Sequence, residues 1–166
     1  MIPFIALVLL LTFGCLRGFR FAVCNLAYTI THPFRIKRSS ERLRAFYGYC
    51  TDLLALDSWI ESSFRYKSDI IDYASWPIVF AMKWDKHCKW NGDCDDVANL
   101  AYYWAKKKHH KASYVSIKRP AHQVGHAVCL VKVGVEWMMI DSTGVVPFMG
   151  WATHYPNCKI IIRKTR

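Results

Sequence analysis

Three residues of useful chemical type occur in a telling order: Cys94, then His126, then Asp141. A thiol, an imidazole and a carboxylate can together carry out acyl transfer. The thiolate attacks a carbonyl, the imidazole takes up and returns the proton, and the carboxylate fixes the imidazole tautomer and steadies its charged form. This requires the thiol at a place that favours its anion, with the other two side chains on one face. Cys94 follows Asn91-Gly92-Asp93, in which Asn-Gly is a turn signal and Asp93 a good helix N-cap. Asp96 falls three residues after Asp93, near a capping-box position. Val97, Leu100, Ala101, Trp104 and Ala105 then recur at helical spacing, and the run ends in Lys106, Lys107, Lys108, His109 and His110. Acids at the start and bases at the end both match a helix dipole. Cys94 is therefore expected in the first turn, where unpaired N–H groups favour the thiolate while Asp95 and Asp96 oppose it.

His126 and Asp141 belong to a second pattern. Residues 126–133 and 136–141 read as two strands joined at Gly134-Val135. A two-residue turn there pairs Val133 with Glu136, Val128 with Asp141 and His126 with Thr143. Opposed residues share a face, so His126 and Asp141 become diagonal neighbours on one side of the hairpin, provided no bulge shifts the register. Cys129 falls on the other face and reads as core.

The elements needed to hold these groups are also visible. Residues 112–118 look like a strand broken off by Pro120, and residues 160–162 like a last strand. Apolar residues across 41–62 recur at three- and four-residue steps, which predicts helix capped by Ser40 and divided near Gly48. Residues 64–90 are rich in aromatics, and Pro77 forbids one uninterrupted helix there. The expected class is α+β, a helix packed on an antiparallel sheet.

The chain has 166 residues, 53% hydrophobic and 15% aromatic, which suits one folded domain and excludes a disordered chain. Two regions are expected: residues 1–35, a hydrophobic N-terminal segment with a basic connector, and residues 36–166, the enzyme domain. Residues 2–13 are almost wholly apolar, too short for a comfortable span of about 20 residues, and are followed by Arg17 and Arg20. They predict a membrane anchor or export signal, with a buried element of a cytoplasmic protein as the alternative. The net charge of +11 favours anionic surroundings, including acidic headgroups or an acidic substrate. Seven cysteines without a C-x-x-C pair speak against zinc-ribbon and thioredoxin-like readings.

Gly92-Asp93-Cys94-Asp95-Asp96-Val97-Ala98, Gly125-His126-Ala127-Val128 and Trp137-Met138-Met139-Ile140-Asp141-Ser142-Thr143 resemble, in this order, the transglutaminase-like proteins of the papain-like superfamily. The likeness is greatest to the small bacterial and phage transglutaminase-like cysteine peptidases, and it covers about residues 69–143. It implies a papain-like core and a Cys94, His126, Asp141 triad. It implies a cysteine peptidase or amidase that acts on a protein or peptide through a thioacyl intermediate. A protein-glutamine acyltransferase or deamidase would use the same triad, and a non-catalytic basic binding module is a third reading. A tryptophan or glutamine often gives the second oxyanion donor in related enzymes; Trp59, Trp76, Trp84 and Trp90 are the candidates considered.

Other groups read as structural. Cys88 has no histidine or aspartate pattern around it, and His122 reads as an exposed loop residue. Asp95 and Asp96 offer oxygen atoms to calcium, but capping is preferred, and no cofactor is expected. A zinc site from His87, Cys88, His109, His110 and His126 has poor spacing. The basic run 106–111 reads as a solvated helix end, so no nucleic-acid partner is expected. There is no phosphate loop, H-E-x-x-H or G-x-S-x-G.

Overall fold

A computed structural model describes residues 17–68, 75–84, 87, 89–118, 125–150 and 159–163. The anchor or signal expected at residues 2–13 lies outside them, as do Cys88 and His122. Helix α1 spans Arg17–Thr31, and a 3-10 turn at Pro33–Arg35 leads into α2, Ile36–Tyr49. α3 is Leu53–Ser63, and β1 is Phe64–Tyr66. α4 is Pro77–Met82, β2 is Trp90–Gly92, and α5 is Cys94–Lys107. Five strands follow: β3 Lys111–Lys118, β4 His126–Val133, β5 Glu136–Asp141, β6 Gly144–Pro147 and β7 Lys159–Arg163. They form an antiparallel sheet in the order β6-β5-β4-β3-β7, while β1 and β2 pair in parallel. The class is α+β.

The central strand explains the layers. Residues 127–131 of β4 are all buried, as a strand covered on both faces must be. Cys129 and Val131 pack with Ile140 and the α5 residues Val97, Leu100, Ala101, Trp104 and Ala105. Val128 and Leu130 pack on the other face with Val115, Ile117, Met139 and Phe148. The α5 stripe is the one its spacing predicts, and burial of these side chains contributes about 1.5–3 kcal/mol for each large one.

The helical layer is joined by aromatic packing. Trp90 meets Trp59, Phe80 and Phe46 with ring centroids 5.0, 5.3 and 5.8 Å apart. Trp104 Nε1 donates to the Cys50 carbonyl at 2.7 Å, at the C-cap of α2. The break between α2 and α3 falls at 50–52, just beyond Gly48, because Asp52 caps α3 by accepting from the Ala55 N–H at 2.9 Å. Pro77 opens α4 instead of interrupting a longer helix.

Three local expectations give way to packing. Ser40 does not cap α2: Arg35 has helical backbone angles, φ −86° and ψ −16°, so the 3-10 turn runs on into the helix. Asn91-Gly92 is not a turn but the end of β2, because Trp90 is seated in the aromatic cluster and holds the chain extended beside β1. Asp96 does not complete a capping box; it is fully buried, and it accepts from the Ser75 N–H at 2.8 Å and from Lys83 Nζ at 3.1 Å.

Candidate active site

Cys94 is the first residue of α5. Asp93 caps the helix by accepting from the Asp95 N–H at 3.1 Å. The approach to the cysteine is crowded. A Cβ on Gly92 would lie 2.7 Å from Phe80 Cε2 and 2.9 Å from Asp96 Cβ, so only glycine fits there. Asp95 and Asp96, adjacent in sequence, diverge in space. Asp96 reaches inward to Ser75 and Lys83, while Asp95 Oδ1 accepts from the Tyr114 hydroxyl at 2.8 Å. Tyr114 lies on β3, opposite Cys129 of β4, so this bond ties the start of α5 to the sheet that carries His126.

The hairpin has the register its turn predicts: Val133 pairs with Glu136, and pairing continues to Cys129 with Ile140. Gly134 takes φ +59°, the left-handed position that such a turn gives to glycine. One further step in this register sets Asp141 opposite Val128, diagonal to His126. The imidazole Nε2–H donates to Asp141 Oδ2 at 3.2 Å. The other carboxylate oxygen, Oδ1, accepts from the backbone N–H and the hydroxyl of Thr143, each at 2.6 Å. Both oxygens are thus oriented, which fixes the rotamer of the carboxylate. Beyond it, Asp57 Oδ1 on α3 accepts from the Val145 N–H at 2.7 Å, and Gly144, at φ +136°, leaves room for that carboxylate.

His126 meets both other groups. The hydrogen bond to Asp141 and then the one to the Cys94 thiol raise its pKa from the ordinary 6.5 to about 9, against the opposing effect of burial. With Nε2 engaged by Asp141, Nδ1 is the ring nitrogen left for the thiol. Burial pushes the Asp141 carboxyl up, but the bonds from His126 and Thr143 outweigh it and leave its pKa lowered. Cys94 is half-buried. Burial pushes the Cys50 thiol up to about 12 and Cys129 higher still, which makes both inert at neutral pH.

The tryptophan candidates for a second oxyanion donor now separate. Trp59 and Trp90 are core residues, 6% and 4% exposed. Trp84 lies against the guanidiniums of Arg35, Arg38 and Arg42, while Trp76 is held through its backbone N–H, which donates to Asn25 Oδ1 at 2.6 Å, and its indole stays a candidate. Tyr66, by contrast, pairs with Gly92 two residues before Cys94 and is 59% exposed. Its hydroxyl pKa is raised by burial and by the neighbouring Cys94, Asp93 and Asp95.

Of the residues expected in the site, the structure brings Cys94, His126 and Asp141 together. It leaves His109 and His110 at the far end of α5, and His87 is exposed. Among the described residues no three His, Cys, Asp or Glu side chains gather as metal ligands. Thr143, Tyr114, Asp57 and Lys83 support the site without any role foreseen for them. Only Thr143 carried a local signal, since a hydroxyl two residues after an aspartate is a familiar turn partner. No protein-family model and no curated protein matches the chain.

Proposed function

We propose that this protein is a cysteine hydrolase, a peptidase or amidase of the transglutaminase-like, papain-like kind, with Cys94 as nucleophile, His126 as base and Asp141 orienting the base. The observation that carries the reading is the imidazole of His126 shared between the Asp141 carboxylate and the Cys94 thiol. With its pKa near 9 the ring is an imidazolium at neutral pH, one proton held on Nε2 by Asp141 and the other, on Nδ1, taken from the Cys94 thiol. The thiolate attacks the substrate carbonyl carbon, and the C–S bond forms as the carbonyl π pair moves to oxygen. The Cys94 N–H, in the first turn and without an intrahelical acceptor, faces that developing charge. His126 returns the proton to the leaving amine as the C–N bond breaks. Water, deprotonated by His126, then cleaves the thioacyl ester and restores the thiol. Tyr66, exposed and paired with Gly92 two residues before Cys94, is available for contact with a substrate.

The test is alkylation of Cys94 across pH, read peptide by peptide, followed by turnover of a peptide and glutamine substrate panel with and without an added amine. Selective labelling of Cys94 at neutral pH is expected, with hydrolysis that disappears in Cys94→Ala and nearly so in Cys94→Ser. Full turnover by Cys94→Ala would overturn the assignment. Amine incorporation in place of hydrolysis would make the protein an acyltransferase on the same triad.

A further inference from the structure

Helix α1 is built inside out. Its buried contact with the rest of the protein is polar: Asn25 is fully buried and accepts from the Trp76 N–H at 2.6 Å. Its outward side is apolar, with Leu26 51% and Ile30 67% exposed one turn apart, and Ala27 exposed beside them. A surface helix normally shows the reverse arrangement. No Asp, Glu, Lys or Arg occurs from 21 to 31. Both threonine hydroxyls of this helix are satisfied internally. The Thr29 hydroxyl donates to the Asn25 carbonyl at 2.9 Å, and the Thr31 hydroxyl donates to the Ala27 carbonyl at 2.9 Å. Such bonds leave the face with little need of water. Just beyond it, on the turn at Pro33–Arg35, Phe34 is 98% exposed.

The charge near this face in sequence is of one sign. The first 40 residues contain Arg17, Arg20, Arg35, Lys37 and Arg38 and no acidic residue. Lys37 and Arg38 are exposed in the first turn of α2, directly after Phe34. Apolar side chains followed by cations are the composition of a segment lying in the interface of an anionic bilayer. At 15 residues α1 is about 22 Å long, short of the ~30 Å hydrocarbon core, so it would lie along the surface. A second copy of this chain would bring a like basic charge against it. Nucleic acid would make no use of exposed Leu26, Ile30 and Phe34.

We propose that the outward face of α1, with Phe34, docks on an anionic lipid surface and that Lys37 engages the headgroups. The proposal does not depend on the catalytic reading, and Cys94→Ala is expected to bind as the wild type does. The test is flotation of the full chain with phosphatidylcholine vesicles, with and without phosphatidylglycerol. The wild type is expected to float with the anionic vesicles, and less so at raised salt. The triple change Leu26→Gln, Ile30→Gln, Phe34→Gln is expected to lower partitioning about a hundredfold, because three side chains no longer enter the apolar region. Lys37→Gln is expected to lower it about fivefold on anionic vesicles and to change nothing on neutral ones. All these residues are exposed, so each variant should keep its circular dichroism and its Cys94 alkylation rate. Undiminished flotation of the triple variant, or no flotation of the wild type, overturns the proposal. A concentration-dependent dimer lost in the triple variant, or duplex DNA binding without vesicle binding, does so as well and names the true occupant.

Discussion

Replacing Asp141 by Asn tests the site most directly, because the surroundings dictate how the new amide must sit. Two Thr143 donors, each 2.6 Å from Oδ1, hold the carbonyl oxygen of the asparagine where Oδ1 was. The amide NH2 then faces His126 Nε2, which can only accept from it in the neutral state. The ring proton moves to Nδ1, toward Cys94, and the imidazole ceases to be a base for the thiol. The charge is lost as well. Asp141 is the largest cause of the rise in the His126 pKa from 6.5 to about 9. At 1.36 kcal/mol per pH unit, and with the ring 22% exposed, its removal withdraws on the order of 1–2 kcal/mol from the imidazolium. Because folding raises this pKa, the linked stability is complete below about pH 6.5 and is lost as pH rises through about 9. The alkaline limb of kcat/KM should therefore lie near pH 9 in the wild type and at lower pH in Asp141→Asn, whereas Cys94 alkylation by a neutral reagent should show no alkaline fall in either. The rate should fall about a thousandfold at neutral pH. The assay is the pH profile of both quantities, with thermal melting to show that the fold persists. A wild-type profile with a rate loss of less than about threefold would refute the coupling of Asp141 to His126.

Three further outcomes are expected. Gly92→Ala forces a methyl group against Phe80 and the Asp96 side chain and should cost about 1–3 kcal/mol, read as a lowered Tm, with weaker activity because the same segment leads into Cys94. Lys83→Met leaves the buried Asp96 carboxylate without its ammonium partner, 3.1 Å away, and should destabilise by about 3–5 kcal/mol in denaturant unfolding. Adding Asp96→Asn should recover part of that loss. Tyr114→Phe removes the 2.8 Å bond to Asp95 that ties α5 to β3; stability should fall by about 1–2 kcal/mol, read in denaturant unfolding.

The arginines around Trp84 show how the basic charge is used within the fold. The guanidiniums of Arg35, Arg38 and Arg42 lie 4.8, 5.5 and 4.9 Å from the indole centroid. Arg35 also donates to the Met82 carbonyl at 3.0 Å, and Ser39 Oγ donates to the Ala81 carbonyl at 3.3 Å. One side of α2 is thereby fixed to α4, which in turn delivers Phe80 and Lys83 to the start of α5. Part of the positive charge is thus structural, through cation–π contact, and not a free electrostatic surface.

The elements that follow a strict period were legible in the sequence. Val97, Leu100, Ala101 and Trp104 mark α5, and the run from His126 to Val133 with its Gly134-Val135 turn fixes a register that places His126 and Asp141 on one face. These features depend on contacts a few residues apart, where helix and hairpin geometry leave little choice. Asn91-Gly92 and Asp96 obeyed partners far away in the chain, whereas Ser40 yielded to the helical backbone of Arg35 nearby. Residue 92 became strand because Trp90 found Trp59 and Phe80; Asp96 turned inward because Ser75 and Lys83 arrived beside it. The meeting of Cys94 with His126 is of the second kind. A helix start and a strand start 32 residues apart carry no mutual signal in their spacing. They are brought together by Trp104 against Cys50, by Asp95 against Tyr114, and by the packing of α5 on β4. Burial of that helix stripe is favourable only in one seating on the sheet, and that seating fixes where the start of α5 lies relative to β4.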